Sequence, residues 1–190
     1  MNQSAICVYC ASSTKVPKIY FDAAYKLGHL IAERGLATVS GGGRAGLMGA
    51  LIDGVLDAGG HAIGILPQFM IDNGWQHERL SEMIVTTSMH ERKQRMALLS
   101  QAVIALPGGV GTFDELFEIV TWRQLGLYKG NIVIANIDGY YDLLLAHLKR
   151  SIEQGFMRGD HAKLWQVAQS PEEALAMALS SQNTSFSAKY

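Results

Sequence analysis

Three short stretches of the chain carry residue types that could do chemistry. The first is Pro107-Gly-Gly-Val-Gly-Thr-Phe-Asp-Glu115. Its glycines, Gly108, Gly109 and Gly111, leave no Cβ between the backbone and a ligand. A helix starting where they end would turn free N–H groups toward an anion, most often a phosphate. No Gly-Lys-Ser/Thr closes the turn, so it is not a Walker A loop. Thr112 is a candidate N-cap, and Glu115 stands three residues later, where a capping box would have it. Residue types alone leave Glu115 open between two roles, a cap and a reactive carboxylate on the rim of a phosphate cradle. Asp114 beside it reads as a negative charge that favours a helix start.

The second stretch is the pair Arg92-Lys93. Adjacent cations disfavour each other unless an anion is near, and an arginine can grip phosphate or ribose oxygens with its planar fork. The alternative is a solvated basic helix face, continued by Arg95. The third stretch is Ser40-Gly-Gly-Gly-Arg-Ala-Gly46, a literal G-x-G-x-x-G. A dinucleotide site also needs an acid at the end of the following strand for the ribose hydroxyl. Residues 61–66 contain none, which disfavours NAD. These glycines serve either tight strand–helix packing or one wall of a nucleotide pocket.

Each stretch falls where one element hands over to the next. Residues 102–106 are an unbroken apolar run, the mark of a strand covered on both faces. The glycine turn follows it, and a helix is expected over 113–125. Ser88-Met-His-Glu91 is a second capping box, opening a helix to about residue 100 and placing Arg92 and Lys93 in its second turn. Further strands are expected at 5–10, 36–39, 61–66, 83–86, 132–135 and, as a short edge, 165–168. Helices are expected at 17–34, 47–58 and 140–154, and after Ser170-Pro171, where an N-cap meets a proline at N1. Residues 68–82 read as irregular with one short helix. Strand and helix alternate throughout, which predicts an α/β fold: a Rossmann-like, doubly wound parallel sheet with helices on both faces. One domain spans residues 1–180, and 181–190 read as a polar, frayed tail. Ligands of such sheets sit at the carboxyl ends of the strands, where Ser12 and both glycine loops would gather.

Composition bounds the function. The chain has 190 residues, 48% of them hydrophobic and 17% charged, with a formal net charge of -1. That balance suits one globular domain and argues against a general nucleic-acid or membrane-surface binder. No apolar run reaches transmembrane length, and residues 1–20 lack the pattern of a signal peptide, so the expected location is the cytoplasm. Cys7 and Cys10 form a C-x-x-C, but an offset of three in a strand points them to opposite faces, so they read as buried thiols and not a disulfide. His90-Glu91 lacks the second histidine of H-E-x-x-H, and no structural metal is expected.

The glycine turn also resembles a known signature. Residues 107–115 look like the PGGxGTxxE motif of the LOG ("Lonely Guy") family of cytokinin riboside 5′-monophosphate phosphoribohydrolases. Residues 41–49, Met89-His-Glu-Arg-Lys93, Thr121-Trp-Arg-Gln-Leu-Gly126 and Asp138-Gly-Tyr-Tyr141 agree in order and spacing. The resemblance runs from about Ile6 into the helix after Pro171. It departs at Ala11, Ser40 and Asp114, where the family more often has Gly, Tyr and Glu.

The resemblance implies hydrolysis of the N-glycosidic bond of AMP or its N6-prenylated form, giving a free base and ribose 5-phosphate. It implies Arg92 and Glu115 as catalytic residues. It implies substrate contacts from Lys93, Gly108, Gly109, Val110, Gly111, Thr112, Thr121, Gly42, Gly43 and Ser12. The family often has a substrate-contacting glutamate in the segment 68–82, for which Glu78 is a candidate. No cofactor or metal is implied; the expected partners are a small nucleotide and a second copy of the chain. Trp122 and Tyr128 are left open between base stacking and a subunit interface. Two other readings compete: a non-catalytic nucleotide or molybdenum-cofactor carrier, whose glycine loops look similar, and a lysine decarboxylase. The second would need a Schiff-base lysine and a cofactor site, and no signature of either stands in the sequence.

Overall fold

The computed structural model describes residues 4–181 of the chain. The expected tail falls almost wholly outside them. Seven strands make one sheet: β1 (Ala5–Tyr9), β2 (Ala37–Ser40), β3 (His61–Pro67), β4 (Glu82–Thr86), β5 (Ala102–Ala105), β6 (Asn131–Ala135) and β7 (Gln166–Ala168). Their spatial order is β4-β3-β2-β1-β5-β6-β7, every pairing parallel. The helices between them are α1 (Lys18–Glu33), α2 (Gly46–Asp57), α3 (Gln68–Asp72), α4 (Met89–Leu98), α5 (Val110–Gln124), α6 (Asp142–Glu153) and α7 (Pro171–Leu179). The fold is therefore the α/β, doubly wound parallel sheet that the alternation predicts.

The central strands read as unbroken apolar runs because both their faces are covered. One face packs under α1, α2 and α7 through Leu27, Ile31, Leu51, Ile52 and Leu175; the other packs under α4 and α5 through Met96, Leu116 and Ile119. Cys10 belongs to the first core and Cys7 to the second, and both are buried free thiols, as the offset of three requires. Tyr128 is buried in the second core and the half-buried Trp122 packs against it, and neither lines the cavity described below.

The chain winds outward from β1 to β4, then returns to place β5 on the other side of β1. That reversal makes the β1–β5 edge a topological switch point, with a crevice at its carboxyl end. The loops after β1, β2 and β5 all open there.

Two helix starts differ from expectation. The helix expected at 113 begins at Val110, with Gly109 in the cap position and no side-chain cap bond. Thr112 is thus the third residue of α5 and not its cap. The helix expected at 140 begins at Asp142, after a 3-10 turn at Ile137–Gly139. That turn frees two tyrosines for another task. Tyr141 donates its hydroxyl to the Leu106 carbonyl at 2.7 Å, and Tyr140 donates to that of Gly108 at 2.6 Å. Together they fix the path of the glycine turn between β5 and α5. The two remaining caps behave as read: Ser88 Oγ accepts from Glu91 N–H at 3.1 Å, and Ser170 Oγ from Glu173 N–H at 3.2 Å. Such caps contribute about 1 kcal/mol each.

Candidate active site

A cavity of about 690 Å³ opens at the switch point, within the roughly 300–1,000 Å³ typical of small-ligand sites. Gly109, Val110, Gly111 and Thr112 line one side of it. These are the cap and first turn of α5, whose N–H groups no side chain caps. They offer unsatisfied donors and the positive end of the helix dipole to an anion. Val110, 84% exposed, stands at the mouth. Ser12, Gly43 and the exposed Arg44 line the side formed by the loops after β1 and β2.

Arg92 and Glu115 meet in the wall. The Ser88 cap fixes where α4 starts, and that puts Arg92 one turn in, facing the sheet end. Its Nε donates to the Ile65 carbonyl at 2.9 Å, and its Nη1 to Glu115 Oε1 at 3.1 Å. Arg92 is 6% exposed and Glu115 8%, yet both line the cavity. The guanidinium fits only because residue 41 is glycine: a Cβ there would lie 2.0 Å from Arg92 Nη2. Gly41 lines the cavity, and pattern reading passed over it in favour of Gly42 and Gly43.

Glu115 is not a cap. With α5 starting at Val110, its carboxylate lies in the second turn and is turned to Arg92, not to the backbone at residue 112. The local capping-box pattern loses to a tertiary ion pair. Burial is the largest influence on this carboxyl and raises its pKa from 4.5 to about 7. Arg92 and Lys93 pull it down, while the charges of Asp114 and Glu118 push it up. A buried carboxyl that titrates near neutrality can hold or release a proton at working pH, a property typical of catalytic acids and bases.

Several expected contacts lie elsewhere. Lys93 does not line the cavity; its Nζ sits 3.0 Å from Asp114 Oδ2 and 3.2 Å from Glu118 Oε1, bracing α4 against α5. Thr121 lies on the exposed side of α5, its Oγ1 donating to the Phe117 carbonyl at 2.7 Å. Gly108 lines nothing: a Cβ there would meet Thr112 Oγ1 at 2.0 Å, so its missing side chain seats Thr112 under the turn. Gly42, at φ +70°, packs against Leu66 and Gly64 and is also outside the lining. Glu78 is exposed and apart from the cavity, and Asp114 is turned to Lys93.

What sequence reading missed is the apolar side of the cavity. Met48, Leu66, Met70, Trp75 and Met89 line it. Met70 and Trp75 come from the irregular segment after β3, which has no periodicity to place it. Backbone bonds do so instead: Arg44 N–H donates to the Trp75 carbonyl at 2.9 Å, and His77 N–H to that of Gly42 at 2.8 Å. Among the described residues no group of three or more His, Cys, Asp or Glu side chains could hold a metal ion, and no helix is long and apolar enough to cross a membrane.

Comparison with known proteins places this geometry in a lineage. Residues 48–178 match the family described as "Possible lysine decarboxylase". A cytokinin riboside 5′-monophosphate phosphoribohydrolase of Arabidopsis thaliana is 42% identical over 152 residues, covering 80% of this chain and 71% of that protein. A probable enzyme of the same name from Oryza sativa subsp. japonica is 39% identical over 170 residues, covering 90% and 70%. Among solved structures, the molybdenum cofactor binding protein of the phototrophic bacterium Rippkaea orientalis superposes with a TM-score of 0.71 at 25% identity, covering 93% of this chain and 95% of that one. The relatives match along most of their own length as well as most of this chain, and the chain belongs to the LOG family of cytokinin riboside 5′-monophosphate phosphoribohydrolases.

Proposed function

We propose that this chain hydrolyses the N-glycosidic bond of a nucleoside 5′-monophosphate, AMP or its N6-prenylated form, to the free base and ribose 5-phosphate. The observation that carries the reading is the buried Arg92–Glu115 pair, 3.1 Å apart, opening into the same cavity as the uncapped start of α5. The family's phosphoribohydrolases supply the reaction class.

The α5 N–H groups hold the 5′-phosphate, and its binding energy fixes the ribose against the wall. Cleavage builds positive charge on the ribose ring, as in other glycoside hydrolyses. Glu115 faces that charge as a carboxylate, by holding a ribose hydroxyl or by taking a proton from the attacking water. The water's oxygen bonds to the anomeric carbon, the base leaves with the bond's electron pair, and the water's proton ends on the departing base. Arg92 opposes the effect of burial on Glu115 and orients its carboxylate. No metal or organic cofactor has a part in this scheme.

A second copy of the chain is the expected partner. Val110, Phe117, Thr121 and Leu125 recur along one exposed face of α5, a stripe that a homodimer would cover. Light scattering at micromolar concentration checks this, with twice the chain mass expected.

The carrier reading is favoured by the structural likeness to a molybdenum cofactor binding protein. The Arg92–Glu115 pair in the cavity wall favours hydrolysis, which makes use of a carboxylate that carriage does not need. The decarboxylase reading fares worse. No lysine lines the cavity, and Lys93 is engaged by two acids. A panel of nucleoside monophosphates, scored for released base, tests the proposal: base release is expected, and binding of nucleotide without any release favours the carrier.

A further inference from the structure

The cavity has a polar side, formed by α5, Arg92 and Glu115, and an apolar side whose one aromatic is Trp75. Trp75 lines the cavity and is nonetheless 50% exposed. Leaving a surface of that size in water forgoes stabilisation that a covering ligand would recover. The residue is held in place more firmly than its exposure suggests. Its carbonyl accepts from Arg44 N–H at 2.9 Å, and the residue after it bridges Gly43. Phe69 packs edge-on against the indole, with ring centroids 6.3 Å apart and planes at 82°. Met48, Met70 and Leu66 complete the apolar lining. Methionine thioethers make favourable contacts with aromatic rings and adapt to their shape. The aromatics that sequence pattern offers for stacking, Trp122 and Tyr128, pack in or against the core below the sheet and do not line the cavity.

We infer that Trp75 is the base-binding residue of the site, stacking on the base of the bound nucleotide against the Met48–Met70 side of the cavity. This rests on the nucleotide reading of the site. It adds that the base and the ribose phosphate are recognised by separate surfaces, the base by Trp75 and the sugar phosphate by α5 and Arg92. Trp75 therefore takes flat, π-faced bases broadly, because every base has a face to stack.

The test separates those surfaces with two probes, AMP and ribose 5-phosphate, the second of which has no base. Binding of each is measured by calorimetry on wild type, Trp75→Ala and Trp75→Phe, with melting curves for all three. Trp75→Ala is expected to weaken AMP on the order of 10-fold to 100-fold, the range for loss of one base–aromatic stack, while ribose 5-phosphate binds as to wild type. Trp75→Phe is expected to recover most of the AMP affinity. Equal AMP affinity in wild type and Trp75→Ala overturns the inference while leaving the nucleotide reading intact. Parallel loss of both probes also overturns it, since that outcome assigns Trp75 a purely structural role. A wild type that binds neither probe overturns this inference and the nucleotide reading together.

Discussion

At the scale of single residues the account turns on one carboxyl group. Glu115 combines burial with a cation partner, and burial wins, holding its pKa near 7. The proposed mechanism uses the carboxylate, so kcat/KM should fall as pH drops below about 7, and a pH profile checks that. Stability runs the other way. Between pH 4.5 and 7 the native state keeps a proton that the unfolded chain has lost, so Glu115 stabilises the fold most at low pH and loses that contribution as pH rises through about 7. Melting of Glu115→Gln beside wild type should show the balance shifting toward the variant as pH rises across that window. Arg92 is pinned by two bonds that need its planar fork, one to Ile65 and one to Glu115. Arg92→Lys keeps charge but not geometry, and turnover should drop about 10²-fold, the effect of a misplaced group, with melting also lowered by loss of the buried bond to the Ile65 carbonyl. Wild-type turnover in that variant would reduce Arg92 to a cation on a helix face. Gly41→Ala puts a methyl onto Arg92 Nη2. Displacing the guanidinium removes the group that lowers the Glu115 pKa, so the variant should be slower and its pH limb should move above that of wild type.

At the scale of elements the site depends on where α5 begins. Its sequence offers two starts. Thr112-x-x-Glu115 fits a capping box, and the glycine turn fits an uncapped start three residues earlier. Locally the box is the better match, which is why residue pattern points to it. The fold takes the other because Glu115 gains a buried arginine partner and Thr112 fills the space above Gly108. The strands and the other capped helices were legible for the opposite reason: unbroken apolar runs and Ser88 or Ser170 caps express local preferences that packing does not oppose. Trp75 and Gly41 were not legible, because backbone bonds from Arg44 and Gly42 place the first and the reach of Arg92 defines the second. Lys93 sits beside Arg92 in sequence, yet one residue of helix rotation turns it from the cavity to the α4–α5 seam. The tyrosine pair after β6 buttresses the turn into α5. Tyr140→Phe removes one bond to Gly108, a loss of about 1 kcal/mol that melting should register. The looser turn should raise KM for AMP more than it lowers kcat. Equal KM in the variant would mean the turn holds its shape unaided.

For the whole molecule, the sheet's reversal at β1 and β5 gathers three loops and two helix starts around one cavity. In the proposed mechanism the phosphate goes to α5, the scissile bond to Arg92 and Glu115, and the base to the apolar side. Each part contributes only when the others hold the same ligand, so adenosine, lacking the phosphate, should be cleaved far more slowly than AMP. Family membership fixes the reaction class, while the division of labour comes from the fold. The most direct test is release of adenine and ribose 5-phosphate from AMP by wild type and by folded, AMP-binding Glu115→Gln. The account predicts equal amounts of both products from wild type and a rate lower by about 10²–10⁴-fold in the variant, the usual contribution of a positioned acid or base. Intact AMP after incubation with wild type, or wild-type release by Glu115→Gln, would contradict it.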